Sequence, residues 1–127
     1  VERIRGRMRA PSVLAPATGW QELGALLARC ALLVGNDSGP KHLAAALGIP
    51  TVTVYGPTHP VTWHPPEGPH RALMADGLDC LHCDANRCPL PGDRHLRCMR
   101  DVGAERVIAA ARELLRPTAG ERTCASR

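Results

Sequence analysis

The chain has 127 residues, 44% of them apolar, and a formal net charge of +4. A chain of this length is one domain at most. It contains no apolar run of the roughly 18 residues that a transmembrane helix needs, and its three aromatics, Trp20, Tyr55 and Trp63, argue against a base-stacking surface for nucleic acid. The positive balance suits nucleic acid, anionic lipid headgroups or phosphate-bearing ligands. Six cysteines without a secretory signal read as thiols or metal ligands rather than disulfides. The first residue is Val, so the chain is expected to be a piece of something longer.

In chain order, Val1, Ile4 and Met8 recur at helical spacing among four arginines. They predict the last two turns of an amphipathic helix, broken at Pro11. Ser12 to Ala15 is a short apolar run read as a strand. Thr18 and Gln21 have the spacing of a capping box. The helix that follows, to about Arg29, places Trp20, Leu23, Leu26 and Leu27 on one face, with Trp20 expected in the core.

Residues 31–58 organise the chain. An apolar run, Ala31 to Val34, stops at Gly35-Asn36-Asp37-Ser38-Gly39. An Ala/Leu-rich helix starts near Pro40 and ends at Gly48. A β-branched strand, Thr51 to Tyr55, closes on Gly56-Pro57-Thr58. Pro near the helix start and Gly past its end stand where the backbone favours them. Two strands joined through a helix are expected to be parallel, and the alternation implies an α/β sheet with helices on its faces.

In such sheets ligands bind beyond the carboxyl ends of the strands. The Gly35–Gly39 turn lies at one such end, and Thr58 at the next. The first N–H groups of a helix have no partner within it and carry the positive end of its dipole, so the turn suits an anion such as phosphate. Asp37 is the odd member, because a carboxylate repels phosphate. It reads either as an acceptor for ligand hydroxyls or, with Ser38, as a plain helix cap. Lys41 and His42, in the first helical turn, can add donors.

Residues 56–100 hold seven of the twelve prolines, and only Arg71 to Ala75 reads as a strand. A connection this long is expected to be functional or internally braced, and the part after Thr58 could close over a ligand as a lid. His59, His64 and His70 fall in it and read as solvated. Cys80, Cys83, Cys88 and Cys98 include one CxxC pair and could close a tetrahedral metal site, with His82 or His95 as substitutes. Cys30 reads as a small core residue and Cys124 as incidental. A last helix over 101–116 has Asp101 as its cap, Glu105 near its start and Val107, Ile108, Ala111, Leu114 and Leu115 on its apolar face. Pro117 ends it, and a polar tail runs over 117–127. The Gly-Asn-Asp-Ser-Gly-Pro stretch is not a serine-hydrolase elbow, since its glycine spacing and strand-to-helix context differ.

The run Asp37-Ser38-Gly39-Pro40-Lys41-His42-Leu43-Ala44-Ala45-Ala46-Leu47-Gly48 resembles glycosyltransferase family 9, the ADP-heptose:lipopolysaccharide heptosyltransferases. The resemblance continues through Tyr55-Gly56-Pro57-Thr58, Trp63 and Arg97-Cys98-Met99, and covers roughly residues 12–116. It implies two Rossmann-like domains facing across a cleft, the GT-B fold. This chain corresponds to the C-terminal, donor-binding half over 1–116, without that domain's first strand.

The resemblance further implies inverting, metal-independent transfer of heptose from ADP-heptose to the lipopolysaccharide core or lipid A acceptor. The acceptor site and the catalytic base belong to the N-terminal domain, so no catalytic residue is expected on this chain. Carried over by motif, the Ser38 and Gly39 N–H groups hold the donor diphosphate, Asp37 binds sugar hydroxyls and His42 lies near the phosphates. Lys41 departs from the Met or Leu associated with its place; it adds a phosphate contact or faces solvent. With Thr58 it is a further donor-binding candidate. Asp37→Ala is expected to cripple transfer with little effect on folding. No cofactor and no nucleic acid are expected. The place of action is the cytoplasm, with peripheral contact at the inner face of the inner membrane. The competing reading is a small basic Cys-rich metal-binding module that contacts nucleic acid or protein.

Overall fold

The computed structural model describes residues 2–116. Its centre is a three-stranded parallel sheet in the order β1-β2-β3, formed by Leu33–Asn36, Thr51–Val54 and His70–Leu73. Leu33 pairs with Thr51 and Thr51 with His70, so the three strands start level. Helices α1 (Glu2–Arg5) and α2 (Trp20–Leu27) precede the sheet, α3 (Gly39–Ala46) joins β1 to β2, and α4 (Pro60–Trp63) lies between β2 and β3. A 3-10 turn (Gly92–Arg94), α5 (Arg97–Arg100) and α6 (Ala104–Leu114) complete the described chain. None of these helices is long and apolar enough to cross a membrane.

β2 is the middle strand, and Thr51, Val52 and Thr53 are all buried. Successive side chains leave a strand on opposite faces, so both faces of β2 are covered. The helices that pack against it are α3 and α6. β1 alternates between half-buried and exposed positions, as an edge strand with one covered face does. Leu27, Ala44, Val52, Tyr55, Ala75, Cys98, Val102 and Ala110 form the buried apolar core.

The expected parallel α/β sheet is observed, with several local corrections. Ser12 to Ala15 is not a strand: Val13 is 96% exposed. A four-residue run becomes a strand only where a neighbour takes its backbone hydrogen bonds. The first helix is only one turn long, and Ile4 and Met8 are exposed. The cap of α2 is shifted by one residue, with Glu22 Oε2 accepting from Gly19 N at 2.8 Å. A carboxylate is the stronger acceptor, which favours Glu22 over Gln21. Trp20 is 65% exposed and lies against Gly39 instead of in the core.

β1 begins two residues later than the apolar run and takes in Gly35 and Asn36, because the ladder with β2 extends that far. β3 begins at His70, one residue earlier than expected. Asp101 does not cap the last helix. It ends α5, where it pairs with Arg97 at 2.8 Å, and Gly103, at φ 62°, opens α6. Ile108 and Leu115 are about half exposed, so the apolar stripe of α6 is buried only in part. Val1, Pro117, the tail to Arg127 and Cys124 lie outside the described residues.

The segment 56–100 is braced. His82 N donates to the Gly56 carbonyl and Asp84 N to that of Pro57, at 3.0 and 2.8 Å. The cysteine-rich loop is thereby stitched to the carboxyl end of β2.

Candidate functional site: the turn at the carboxyl end of β1

Ser38 is the N-cap residue of α3, with extended backbone (φ −165°, ψ 166°). Neither expected side-chain cap forms. The Ser38 hydroxyl donates backward to the Asn36 carbonyl at 3.2 Å, and no side chain caps the helix. The plain-cap reading of Asp37 and Ser38 is therefore not what the turn does. Pro40 has no N–H and Lys41 N donates to the Ser38 carbonyl at 3.1 Å, so this end of the helix offers the Gly39 N–H and the positive end of the dipole. An ideal Cβ on Gly39 would stand 2.6 Å from the Trp20 ring, so glycine is what lets Trp20 lie over this turn.

Asp37 points under the helix. Its side chain is 11% exposed, and Oδ1 lies 2.7 Å from Lys41 Nζ and 3.8 Å from His42 Nε2. Lys41 does not face solvent. It is fully buried, within 3.2 Å of Tyr55 Oη, and donates to the Trp63 carbonyl. Asp37 Oδ1 makes no aligned hydrogen bond, so its link to Lys41 is ionic. Burial, and then the negative charge of Asp37, push the Tyr55 phenol up to about 12. Tyr55 Oη reaches His64 Nδ1 at 3.5 Å, and His70 Nδ1 reaches Thr51 Oγ1 at 3.0 Å. Both imidazoles are held below their ordinary pKa, by burial first and, in part, by nearby positive charge. Neither is a solvated loop histidine.

Beyond the ends of β1 and β2 lies a cavity of about 420 Å³. Asn36, Asp37, Gly56 and Thr58 form its floor, and the cysteine segment with Arg97 and Met99 forms its wall. An ideal Cβ on Gly56 would stand 2.6 Å from Met99 Sδ and 2.9 Å from Cys98 Sγ, so glycine there admits α5 to the strand end. His42 is half exposed, meets the Trp63 ring edge-on at 6.2 Å, and lines a separate groove with His64 and His70.

The fold thus brings Asp37, Lys41 and His42 together. It places Asp37 and Thr58 on one cavity and leaves Ser38 and Gly39 at the helix end beside Trp20. The sequence named Tyr55, His64, Arg97 and Met99 without giving them a place in the site, and it gave Asn36 no role. For Arg97 and Met99 the family resemblance around Cys98 was the available signal.

Cys80, Cys83, Cys88 and Cys98 are thiols on the same cavity wall. Burial, and then the charges of the other three, push the Cys98 thiol up. The Leu96 N–H donating to Cys88 Sγ at 3.4 Å holds that thiol down. Among the described residues no three His, Cys, Asp or Glu side chains are arranged to hold a metal ion.

The sequence model of glycosyltransferase family 9 (heptosyltransferase) matches residues 1–92, which include the turn, α3, β2 and β3. The chain belongs to this family. It is 38% identical over 90 residues to lipooligosaccharide heptosyltransferase 2 of Campylobacter jejuni, a match covering 71% of this chain and 27% of that protein. Lipopolysaccharide heptosyltransferase 3 of Escherichia coli K12 is 35% identical over 102 residues, covering 80% of this chain and 28% of the relative. A Burkholderia thailandensis protein named an inactive autotransporter heptosyltransferase is 31% identical over 114 residues, 80% of this chain and 26% of its own. The chain therefore spans little more than a quarter of the length of the curated relatives it matches. No solved structure matches it. Family membership accounts for the sheet, the turn and most of the cysteine segment, and nothing favours the metal-binding module.

Proposed function

We propose that the complete protein carrying this chain is a glycosyltransferase that moves heptose from ADP-heptose to the lipopolysaccharide inner core. In this reading the chain supplies the donor-binding half of a GT-B enzyme. The observation that carries it is the family match across the Gly35–Gly39 turn, together with an uncapped α3 whose preceding carboxylate lines a cavity at the strand ends. The Ser38 and Gly39 N–H groups hold the diphosphate, with His42 nearby. Asp37 and Thr58 face the sugar.

Transfer is then a direct displacement that inverts the anomeric carbon without a metal. An acceptor hydroxyl attacks, and the helix end stabilises the charge that develops on the departing diphosphate. The base that takes the hydroxyl proton lies in the other half of the enzyme. Nucleotide-sugars are made in the cytoplasm, which places the reaction at the inner face of the inner membrane, where the acceptor lipid is met. The arginine-rich surface favours that anionic face.

The test is calorimetry of the complete protein with ADP, ADP-heptose and UDP-glucose, followed by a transfer assay on heptose-deficient lipopolysaccharide. Preferential binding of the adenine nucleotides with turnover of ADP-heptose is expected. Failure to bind either adenine nucleotide would overturn the reading.

A further inference from the structure

Lys41 is the only lysine in the chain; the other fifteen of its sixteen Lys and Arg residues are arginines. It is also fully buried. An ammonium taken out of water is costly unless a counter-charge and hydrogen-bond acceptors surround it. Asp37 Oδ1 at 2.7 Å provides the charge, and Tyr55 Oη and the Trp63 carbonyl provide the acceptors. The Tyr55 ring adds a face 5.4 Å from Nζ. Lysine suits this place better than arginine, because its compact point charge fits where a planar fork with five donors would leave some unpaired.

The Asp37 carboxylate immediately precedes a helix end read here as the seat of a diphosphate. Alone it would repel that ligand. We propose that Lys41 is a positioning residue that cancels the charge of Asp37 from below, so that one turn can hold a diphosphate at the helix end and a carboxylate toward the sugar. Lys41 has no exposed surface from which to touch a ligand, so it acts through Asp37. Its bond to the Trp63 carbonyl also ties α4 to this charge pair, 22 residues along the chain. The inference rests on the nucleotide-sugar reading above and adds to it the means by which the carboxylate is tolerated.

The experiment measures ADP affinity by calorimetry in the complete protein, with circular dichroism as the check on folding. Lys41→Met removes the charge and keeps the bulk. It should weaken ADP binding about tenfold or more, the scale of an uncompensated charge several ångströms from a diphosphate. Lys41→Met combined with Asp37→Asn should restore ADP affinity to within about threefold of the native protein, since both charges are then gone. Asp37→Asn alone should bind ADP at least as tightly as the native protein while losing transfer. If the combined variant binds ADP as poorly as Lys41→Met, Lys41 is a steric staple and the proposal is wrong. Undiminished ADP affinity in Lys41→Met would also overturn it. Should Lys41→Met fail to fold, weaker ADP binding in Asp37→Asn overturns the proposal by itself. A native protein that binds no ADP instead overturns the nucleotide-sugar reading, which keeps the two failures distinct.

Discussion

Gly56 and Met99 meet at the carboxyl end of β2 so closely that a Cβ on Gly56 would stand 2.6 Å from the Met99 sulfur. The contact seats α5 against the strand and so sets one wall of the cavity that Asp37 lines. Gly56→Ala should cost about 1–3 kcal/mol through overpacking, read as a lower Tm by scanning calorimetry. Part of the loss should return in Gly56→Ala with Met99→Ala, where the colliding side chain is shortened. An unchanged Tm in the single variant would show that α5 is free to shift.

Asp37→Ala should do two things at once. Transfer should fall about 100-fold or more, the scale on which removing one positioned hydrogen-bonding group slows an enzyme. Stability should also drop, by on the order of 3 kcal/mol, because Lys41 is left buried without its counter-charge. Sequence reasoning expected only the first effect; the 2.7 Å pair with a buried lysine adds the second. Denaturant unfolding and a transfer assay separate the two. Unchanged turnover would remove Asp37 from the sugar site, and unchanged stability would remove the pairing.

Stability should fall as the solution is acidified. His64 and His70 are held below the ordinary value of 6.5, chiefly by burial. The folded state therefore binds fewer protons than the unfolded chain just below pH 6.5. Unfolding is favoured as pH drops through the lowered values, and the full stability is present above 6.5. Tyr55 Oη lies beside the His64 ring and Thr51 Oγ1 beside that of His70. The Tm should fall between pH 7 and pH 5, and less steeply in His64→Gln with His70→Gln. Equal slopes in the two proteins would exclude these histidines as the cause.

Trp20 and Trp63 flank the helix end, the first against Gly39 and the second against His42. ADP should therefore change tryptophan emission, and Trp20→Phe should remove much of that change. Gly39→Ala pushes against a ring that is mostly exposed and can swing away, so its stability cost should stay below about 1 kcal/mol. Its ADP affinity should fall about tenfold, because the added methyl keeps the diphosphate from closing on the backbone N–H, an interaction with a charged ligand of about that worth. An affinity equal to that of the native protein would take the diphosphate off this turn.

Short-range features were legible in the amino-acid order. The strand-turn-helix-strand unit over 33–54, its parallel pairing, the glycine-rich turn at a strand end and the family resemblance all follow from contiguous residues. Apolar periodicity, Pro and Gly placement and the Asp37-to-Gly48 run are local signals, and local sterics fix what they specify. Boundaries slipped by one or two residues at β1, β3 and the cap of α2, where the ladder or a competing side chain decides.

Tertiary structure decided the rest. The same helical spacing that would have put Trp20 in a core left it exposed over Gly39. Ser12 to Ala15 formed no strand, because no neighbour pairs with it. The cysteine segment became a cavity wall through bonds from residues 82 and 84 back to 56 and 57. Lys41 is the sharpest case. Position in a helix says which way a side chain leaves the axis. It does not say that Tyr55 and Trp63, 14 and 22 residues on, will close over it. Whether a charge is buried depends on what the folded chain brings to it from afar, and so the role of Lys41 became visible only with Asp37, Tyr55 and Trp63 around it.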